Sequence, residues 1–260
     1  MLTGASGGIG RSIAKSLDAA GARLVLVGRN AEKLGALKES LIGATHLTIA
    51  VDLNTANGRL NLAQTCASID KGGISLLINC LGINELRLFA EQTEANIEQQ
   101  IRTNLLCPIL VCHDLLPLLQ QQPEALIVNI GSTFGSIGYP GFSSYCASKF
   151  GLRGFTESLR RELTDTPVGV SYIAPRATRT DLNSDSINAM NEALGTHTDE
   201  PGIVANEVMQ VILEPAGTDR YIGWPEKLFV KINALLPSLV DNALRKQLPL
   251  IRRFAKNPIN

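Results

Sequence analysis

The chain contains 260 residues, 45% of them hydrophobic, and its 24 basic side chains equal its 24 acidic side chains in number. This length is compatible with one large α/β domain that buries a substantial core. A formal net charge of zero gives no electrostatic reason to expect a nucleic acid partner. The five cysteines include no Cys-x-x-Cys pair, which is typical of reduced thiols and favours a cytoplasmic location.

Membrane-spanning and metal-binding signals are weak. The apolar runs are shorter than the roughly 20 residues that a transmembrane helix needs, and no signal peptide opens the chain. The three histidines are scattered without the spacing of metal ligands, so no metal site is expected. These features indicate a soluble or membrane-peripheral protein.

Strand-like and helix-like patterns alternate along the chain. Short apolar runs occur at 23–29, 46–53, 74–82, 125–133 and 168–175, and helical patterns occur at 9–20, 31–40, 94–122 and 143–165. Near-continuous apolar runs are typical of parallel strands that are buried on both faces. The alternation predicts an α/β fold with a doubly wound parallel sheet and helices on both faces.

The chain opens with MLTGASGGIG, in which Gly4, Gly8 and Gly10 precede the first helical pattern. Glycines here allow a tight turn that brings backbone amides to the pyrophosphate of a dinucleotide at the helix N-terminus, although such a run is often only a turn. Two residues precede Thr3, whereas an ordinary strand has about 5–6. We therefore expect either roughly 5–10 further apolar residues before Met1 or a stunted first strand.

The end of the second strand bears on the choice of cofactor. An NAD site usually has an acidic residue there for the ribose 2′-hydroxyl, whereas an NADP site needs a cation for the 2′-phosphate. Here Arg29 follows the strand, with Ser6 and Asn30 expected nearby, and the pattern favours NADP(H) over an exposed helix-start arginine. Asp52 follows the third strand, where its carboxylate could accept from the adenine amino group or simply cap a helix.

Tyr145 and Lys149 are four residues apart on a predicted helix and hence on one face of it. A tyrosine with a pKa near 10 needs a neighbouring cation to act as an acid–base group at neutral pH, and Lys149 could supply it. Ser132, at the end of a strand, could hydrogen-bond a substrate oxygen at the same point. Taken alone, a Tyr-x-x-x-Lys pair is more often a pair of ordinary surface residues than a catalytic pair.

The motifs in combination resemble the classical short-chain dehydrogenase/reductase family over residues 1 to about 225. Their order and spacing match that family, including the interval of thirteen between Ser132 and Tyr145. The motifs are Thr3-Gly4-x-x-x-Gly8-x-Gly10, Asn79-x-x-Gly82, Asn104, Ser132 and Tyr145-x-x-x-Lys149.

The resemblance implies a single-domain Rossmann fold with seven parallel strands, a homodimer or homotetramer, and a catalytic tetrad of Asn104, Ser132, Tyr145 and Lys149. In the family mechanism Tyr145 donates a proton to a carbonyl oxygen and Ser132 orients the carbonyl. Lys149 lowers the tyrosine pKa and binds the nicotinamide ribose, and Asn104 holds a water in the proton relay. The predicted NADP(H) contacts are Gly4, Ser6, Gly8, Ile9, Gly10, Arg29, Asp52, Leu53, Asn79, Gly82, Tyr145, Lys149, Pro175 and Thr180.

Two positions depart from the family pattern. The usual Asn-Asn-Ala-Gly is Asn79-Cys80-Leu81-Gly82 here, and the usual Pro-Gly after the sixth strand is Pro175-Arg176. Arginine adopts a positive φ only at a cost, so the turn at 176 must have a different backbone or Arg176 must be held there. Arg176 and Arg179 could contact substrate or cofactor, or serve as ordinary ion-pair residues.

The last quarter of the chain carries two further predictions. Residues 178–202 are polar and weakly periodic, which indicates a lid with a short helix within the catalytic domain of 1–225. Residues 226–260 predict an amphipathic extension of two helices divided at Pro237. Packing on the body or across a subunit interface is favoured for the extension, with peripheral membrane contact or disorder as the alternatives.

These observations predict an NADPH-dependent reductase that transfers a hydride to the carbonyl of a small apolar substrate, such as a ketone or 3-oxoacyl group. The alternatives are an NADP(H)-binding sensor without turnover and a membrane-peripheral interaction protein.

Overall fold

A computed structural model describes residues 1–69, 73–214 and 217–256 of the chain. Seven parallel strands form one sheet in the order β3-β2-β1-β4-β5-β6-β7. This order reverses between β1 and β4, which confirms the predicted doubly wound sheet. The strands are β1 (Leu2–Thr3), β2 (Val25–Gly28), β3 (Leu47–Ala50), β4 (Leu76–Asn79), β5 (Ala125–Ile130), β6 (Val168–Ala174) and β7 (Asp219–Tyr221).

Helices connect the strands and cover both faces of the sheet. The predicted helix at 94–122 is two helices joined by a π-helical turn at Arg102–Leu106, and the predicted lid contains one short helix, α7. The helices are α1 (Gly8–Ala19), α2 (Ala31–Glu39), α3 (Ala56–Ala67), α4 (Glu94–Ile101), α5 (Cys107–Leu119), α6 (Ser143–Glu162), α7 (Asp185–Ala193), α8 (Pro201–Leu213), α9 (Glu226–Leu235) and α10 (Pro237–Lys256).

The first strand, β1, is stunted and spans only Leu2–Thr3. The alternative of further apolar residues before Met1 stays a prediction. Leu2 pairs with Leu26 on one side and with Ile78 on the other. The Ile78 amide donates to the Met1 carbonyl at 2.9 Å, so backbone pairing extends one residue beyond the strand. This pairing places the following glycine turn between β2 and β4.

The core has two layers because successive residues of a strand point to opposite faces of the sheet. In β2, Leu26 packs in the layer that includes α1, α2 and α8, while Val27 packs in the layer that includes α3 and α5. Both side chains are fully buried, and each such burial contributes about 1.5–3 kcal/mol to the free energy of unfolding. Because both faces of the sheet are packed, the carboxyl ends of its strands are held in fixed positions.

The helical stretch Glu94–Leu119 corrects the expectation that no apolar segment reaches the length of a transmembrane helix. By length and composition this stretch could cross a membrane, but the core helices of soluble proteins pass the same test. Its inner face, including Val111, Cys112 and Leu115, is buried against the sheet. Packing of the core accounts for the apolar side chains of this inner face.

The C-terminal helices α9 and α10 lie against the body of the protein. Ile251 and Ala255 of α10 are buried in a cluster with Ile187 and Met190 of α7. The cluster also contains Phe142, just before α6. This is the packed arrangement that was favoured for the extension, and it brings α10 over the lid helix.

Candidate active site

A cavity of about 780 Å³ lies at the carboxyl ends of the strands, where open α/β sheets bind their ligands. It extends from the glycine turn after β1 to the C-terminal helices α9 and α10. Most of the predicted site residues line it: Gly4, Ser6, Gly8, Ile9, Gly10, Arg29, Asp52, Leu53, Gly82, Ser132, Tyr145, Lys149, Pro175 and Thr180. The fold therefore gathers these residues around one cavity, while their individual roles stay predictions.

The glycine turn is closed so tightly that it excludes side chains. Gly4 has a φ of 63°, and a Cβ on Gly10 would lie 2.2 Å from the Gly4 carbonyl oxygen. A Cβ on Gly8 would lie 2.7 Å from Cγ2 of Thr180. The turn leads directly into α1, whose first amides and positive dipole end suit a pyrophosphate. The residues present therefore fit the phosphate part of a dinucleotide.

Two of the cations that line the cavity lie at the β2–α2 turn. Arg29 follows β2, and Lys33 lies in the first turn of α2. Asn30 is the N-cap of α2, and its side chain accepts from the Lys33 amide at 2.8 Å. Among the described residues, the carboxylates that line the cavity are Asp52 and Glu226, neither of which belongs to the β2–α2 turn. Lys33 was not among the predicted site residues, although its position four residues after Arg29 was a usable signal.

Tyr145 and Lys149 lie on α6 and face the cavity next to Ser132, which follows β5. The Lys149 side chain is buried, its Nζ donates to the Ile130 carbonyl at 3.1 Å, and it lies 5.8 Å from the centre of the Tyr145 ring. The Ser132 Oγ accepts from the Phe134 amide at 3.1 Å, which leaves the hydroxyl hydrogen free to donate.

Burial dominates the electrostatics of this group. It raises the pKa of Tyr145 to about 12, and hydrogen bonding to Ser132 only partly offsets the effect. Burial likewise lowers the pKa of Lys149 to about 8, against a weaker opposing contribution from Cys80. The effect of Lys149 on the tyrosine pKa, which the family resemblance implies, stays a prediction; its Nζ lies 5.8 Å from the centre of the Tyr145 ring. Tyr145 is therefore neutral at pH 7 and carries a proton that it can donate.

Asn104 and Asn79 do not line the cavity. Asn104 lies in the π-helical turn, where its Oδ1 accepts from the Ile83 amide and its Nδ2 donates to the Ile83 carbonyl, both at 2.8 Å. Its Nδ2 also donates to Ser148 at 3.2 Å. Asn79 is buried at the end of β4, where its Nδ2 donates to Asn129 at 2.9 Å. Asn104 therefore holds the backbone at Ile83 in place, and Asn79 joins β4 to the side chain of Asn129 on β5.

Tyr172 of β6 supports Ser132, and the sequence analysis missed it. Its hydroxyl accepts from the Ser132 amide and donates to the Ser132 carbonyl, each at 3.2 Å. Its ring lies so close that a Cβ on Gly131 would be 2.0 Å from it. A lone aromatic residue in the otherwise small and aliphatic sequence of β6 was the available signal.

Arg176 is an ion-pair residue at the rim of the cavity. Its Nε and Nη2 donate to both oxygens of Asp199 at 2.9 and 2.8 Å, and its Nη1 donates to Glu226 at 2.9 Å. Gly223, with a φ of 94°, leaves room for this guanidinium. Arg179 pairs with Glu200 at 3.0 Å and is exposed. Both arginines therefore form ion pairs, which is one of the two roles expected for them. Arg176 in this way connects the end of β6 with the lid and with α9.

The wall opposite the glycine turn is apolar. Phe134 and Tyr139 stack there with their ring centres 4.7 Å apart, and lid residues Ile187 and Met190 lie beside them. The extension supplies the rest of this wall: Phe229, Ile232, Leu239, Val240, Ala243 and Leu244. The cavity therefore combines a polar region suited to a dinucleotide with an apolar region suited to a greasy substrate.

Comparison with known proteins shows the family to which the chain belongs. The family model described as short chain dehydrogenase matches residues 1–191. The chain is 35% identical to the 3-oxoacyl-[acyl-carrier-protein] reductase of Bos taurus, covering 74% of this chain and 78% of that protein. It is 34% identical to carbonyl reductase family member 4 of Danio rerio, covering 70% and 76% of the two chains.

Solved structures show the same fold. The closed form of a serine dehydrogenase complexed with NADP⁺ matches with a TM-score of 0.76 and 26% identity, covering 85% of this chain and 92% of that chain. A dehydrogenase/reductase from Sinorhizobium meliloti 1021 matches with a TM-score of 0.75 and 26% identity, covering 85% and 91%. The chain therefore belongs to the short-chain dehydrogenase/reductase family. It is an oxidoreductase of that family, whose members bind a nicotinamide cofactor, usually act on small substrates and usually form oligomers.

Proposed function

We propose that the protein is an NADPH-dependent reductase that converts the carbonyl of an apolar substrate, such as a 3-oxoacyl thioester or another ketone, to an alcohol. The observation that carries this proposal is a protonated, buried Tyr145 beside Ser132 at the junction of the polar and apolar parts of one cavity. A tyrosine that holds its proton at neutral pH suits the direction in which a carbonyl oxygen must gain one.

NADPH, when bound, supplies the hydride, and this chain's residues supply position and the proton. The glycine turn and the start of α1 would hold the pyrophosphate, and Arg29 with Lys33 would hold the 2′-phosphate. The Ser132 hydroxyl, which hydrogen-bonds Tyr145 in the chain alone, would orient the substrate carbonyl, and Tyr145 holds the proton that the carbonyl oxygen receives. Asn104 keeps the backbone at Ile83 in place beside them.

The preference for NADP(H) is tested at the two cations. We expect wild-type protein to bind NADP⁺ more tightly than NAD⁺, and Arg29→Ser with Lys33→Ser to weaken NADP⁺ binding by about 10–100-fold, the effect of losing charged hydrogen bonds. NAD⁺ binding should change little, because NAD⁺ carries no 2′-phosphate. Calorimetric titration of both cofactors measures this. Lys15→Ser, an exposed lysine on α1 outside the cavity, is the control. Tighter binding of NAD⁺ by the wild type would contradict the proposal.

The substrate class is supported by the apolar wall and by the two relatives that are named as reductases of 3-oxoacyl and carbonyl compounds. In a series of 3-oxoacyl thioesters we expect kcat/KM for NADPH oxidation to rise about threefold to fourfold for each methylene that the cavity buries. Leu244→Gln should flatten this dependence and leave the shortest substrate unaffected. NADPH binding without turnover across the series and across simple ketones would instead favour a sensor.

We further propose a homodimer or homotetramer that pairs through the helices carrying Asn104 and Tyr145. Leu106 and Phe150 are exposed at this face, at 38% and 43%. Light scattering should give a mass of two or four chains, and Leu106→Glu with Phe150→Glu should halve it. Ile42→Glu, at another exposed apolar position, should leave the mass unchanged.

A further inference from the structure

The junction of α9 and α10 presents an unusual concentration of exposed apolar side chains. Six of the fourteen large hydrophobic residues exposed in the described chain fall between positions 224 and 239. We call this surface the α9–α10 corner and define it by Trp224, Leu228, Leu235, Leu236 and Leu239, with exposures of 69%, 39%, 81%, 55% and 56%. A monomeric soluble protein rarely leaves such residues together without a binding role.

Cations without an ion partner among the described residues lie on both helices of the extension, and those of α9 lie beside the corner. On α9, Lys227 and Lys231 are one turn apart, so they form a stripe adjacent to the face that Leu228 and Leu235 share. On α10 the exposed cations are Arg245, Lys246, Arg252, Arg253 and Lys256. None of these seven forms an ion pair with another described residue.

The basic and acidic residues are unevenly distributed between the C-terminal extension and the rest of the chain. Residues 224–260 contain seven basic and two acidic residues, a balance of +5, and the remaining residues contain 17 basic and 22 acidic residues, a balance of −5. One of the two acids, Glu226, is engaged by Arg176. The outer surface of the extension is therefore strongly cationic, although the whole chain is neutral.

The corner also borders the cavity. Phe229 and Leu239 are each exposed to solvent and line the cavity wall. Ile232 and Leu244 continue that wall inwards. An apolar path therefore connects the surface of the corner with the region of Tyr145.

We propose that the α9–α10 corner docks on an anionic lipid surface, with its leucines and Trp224 in the interfacial layer and the flanking lysines against the headgroups. Apolar side chains bordered by cations are the composition of an interfacial helix, and each lysine near an anionic surface strengthens binding about fivefold. A second copy of the chain is a poorer occupant, because a twofold contact at the corner would bring the two lysine stripes together. The docking does not depend on the proposed reductase activity.

Flotation of the full chain with lipid vesicles tests this proposal. We expect the protein to float with vesicles that contain phosphatidylglycerol and about tenfold less with vesicles of phosphatidylcholine alone. Leu235→Gln with Leu236→Gln, and separately Lys227→Gln with Lys231→Gln, should each reduce flotation about tenfold or more. These four side chains are exposed, so the variants should fold normally. Ile42→Gln with Leu60→Gln, exposed apolar positions outside the corner, should float like the wild type.

Three results would overturn the proposal. They are failure of the wild type to float, equal flotation with both vesicle types, and unchanged flotation of both corner variants. A loss of oligomer mass in the leucine variant, with no change in flotation, would assign the corner to a contact between copies of this chain.

Discussion

Replacement of Tyr145 by phenylalanine should reduce kcat for carbonyl reduction by about 10²–10⁴-fold, the usual contribution of a positioned general acid. The substitution removes one hydroxyl and keeps the ring that packs against Phe134 and Phe142. Because burial already favours the neutral tyrosine, the variant loses a proton donor and not a charge. Binding of NADPH should stay close to that of the wild type, since the glycine turn and both cations are unchanged.

The control for this experiment is Tyr221→Phe. Tyr221 is a half-buried tyrosine whose hydroxyl pairs with Ser136 at 2.9 Å and which does not line the cavity. It should keep wild-type turnover. Stopped-flow measurement of NADPH oxidation separates the chemical step from product release. Equal rates of hydride transfer in Tyr145→Phe and the wild type would remove Tyr145 from the mechanism.

Much of the fold was predictable because its signals are local. Apolar runs predicted five of the seven strands within a few residues, and the two others are the short β1 and the three-residue β7. Glycines 4, 8 and 10 predicted a turn in which a side chain has no room, and the structure shows that exclusion. Spacing likewise brought Tyr145 and Lys149 to one face of α6.

Other parts of the site depend on contacts between distant residues, which no local pattern encodes. Tyr172 reaches Ser132 across 40 positions, and Arg176 reaches Glu226 across 50. The pKa of Tyr145 is a further case, because the sequence shows the lysine four positions away but not the burial that raises this pKa. The apolar wall formed by the extension required the packing of α10 on α7.

Replacement of Lys149 by methionine should have opposite effects on activity and on stability. Activity should fall about 10²-fold or more, because the variant loses the cation nearest Tyr145 in the cavity. Stability should rise at pH 7, because burial lowers the pKa of Lys149 from its ordinary value of 10.5 to about 8, so the charged form is held in the fold at a cost. That shift corresponds to about 3 kcal/mol, from which the lost hydrogen bond to the Ile130 carbonyl subtracts about 1 kcal/mol. We therefore expect Lys149→Met to unfold with a free energy about 2 kcal/mol higher than the wild type.

The pH dependence distinguishes this cause from better packing. Between about pH 8 and 10.5 the unfolded wild type binds the Lys149 proton that the folded protein has released, so wild-type stability rises relative to the variant. Burial also raises the pKa of Cys80, Cys107 and Cys112 to about 12, but these thiols are present in both proteins and largely cancel in the difference. Urea unfolding across this range measures the difference, with the exposed Lys15→Met as the control whose difference stays flat. A gain in stability that did not shrink as the pH rose would show that methionine simply packs better. A shrinking gain would show that the buried ammonium of Lys149 is kept for function at the expense of stability.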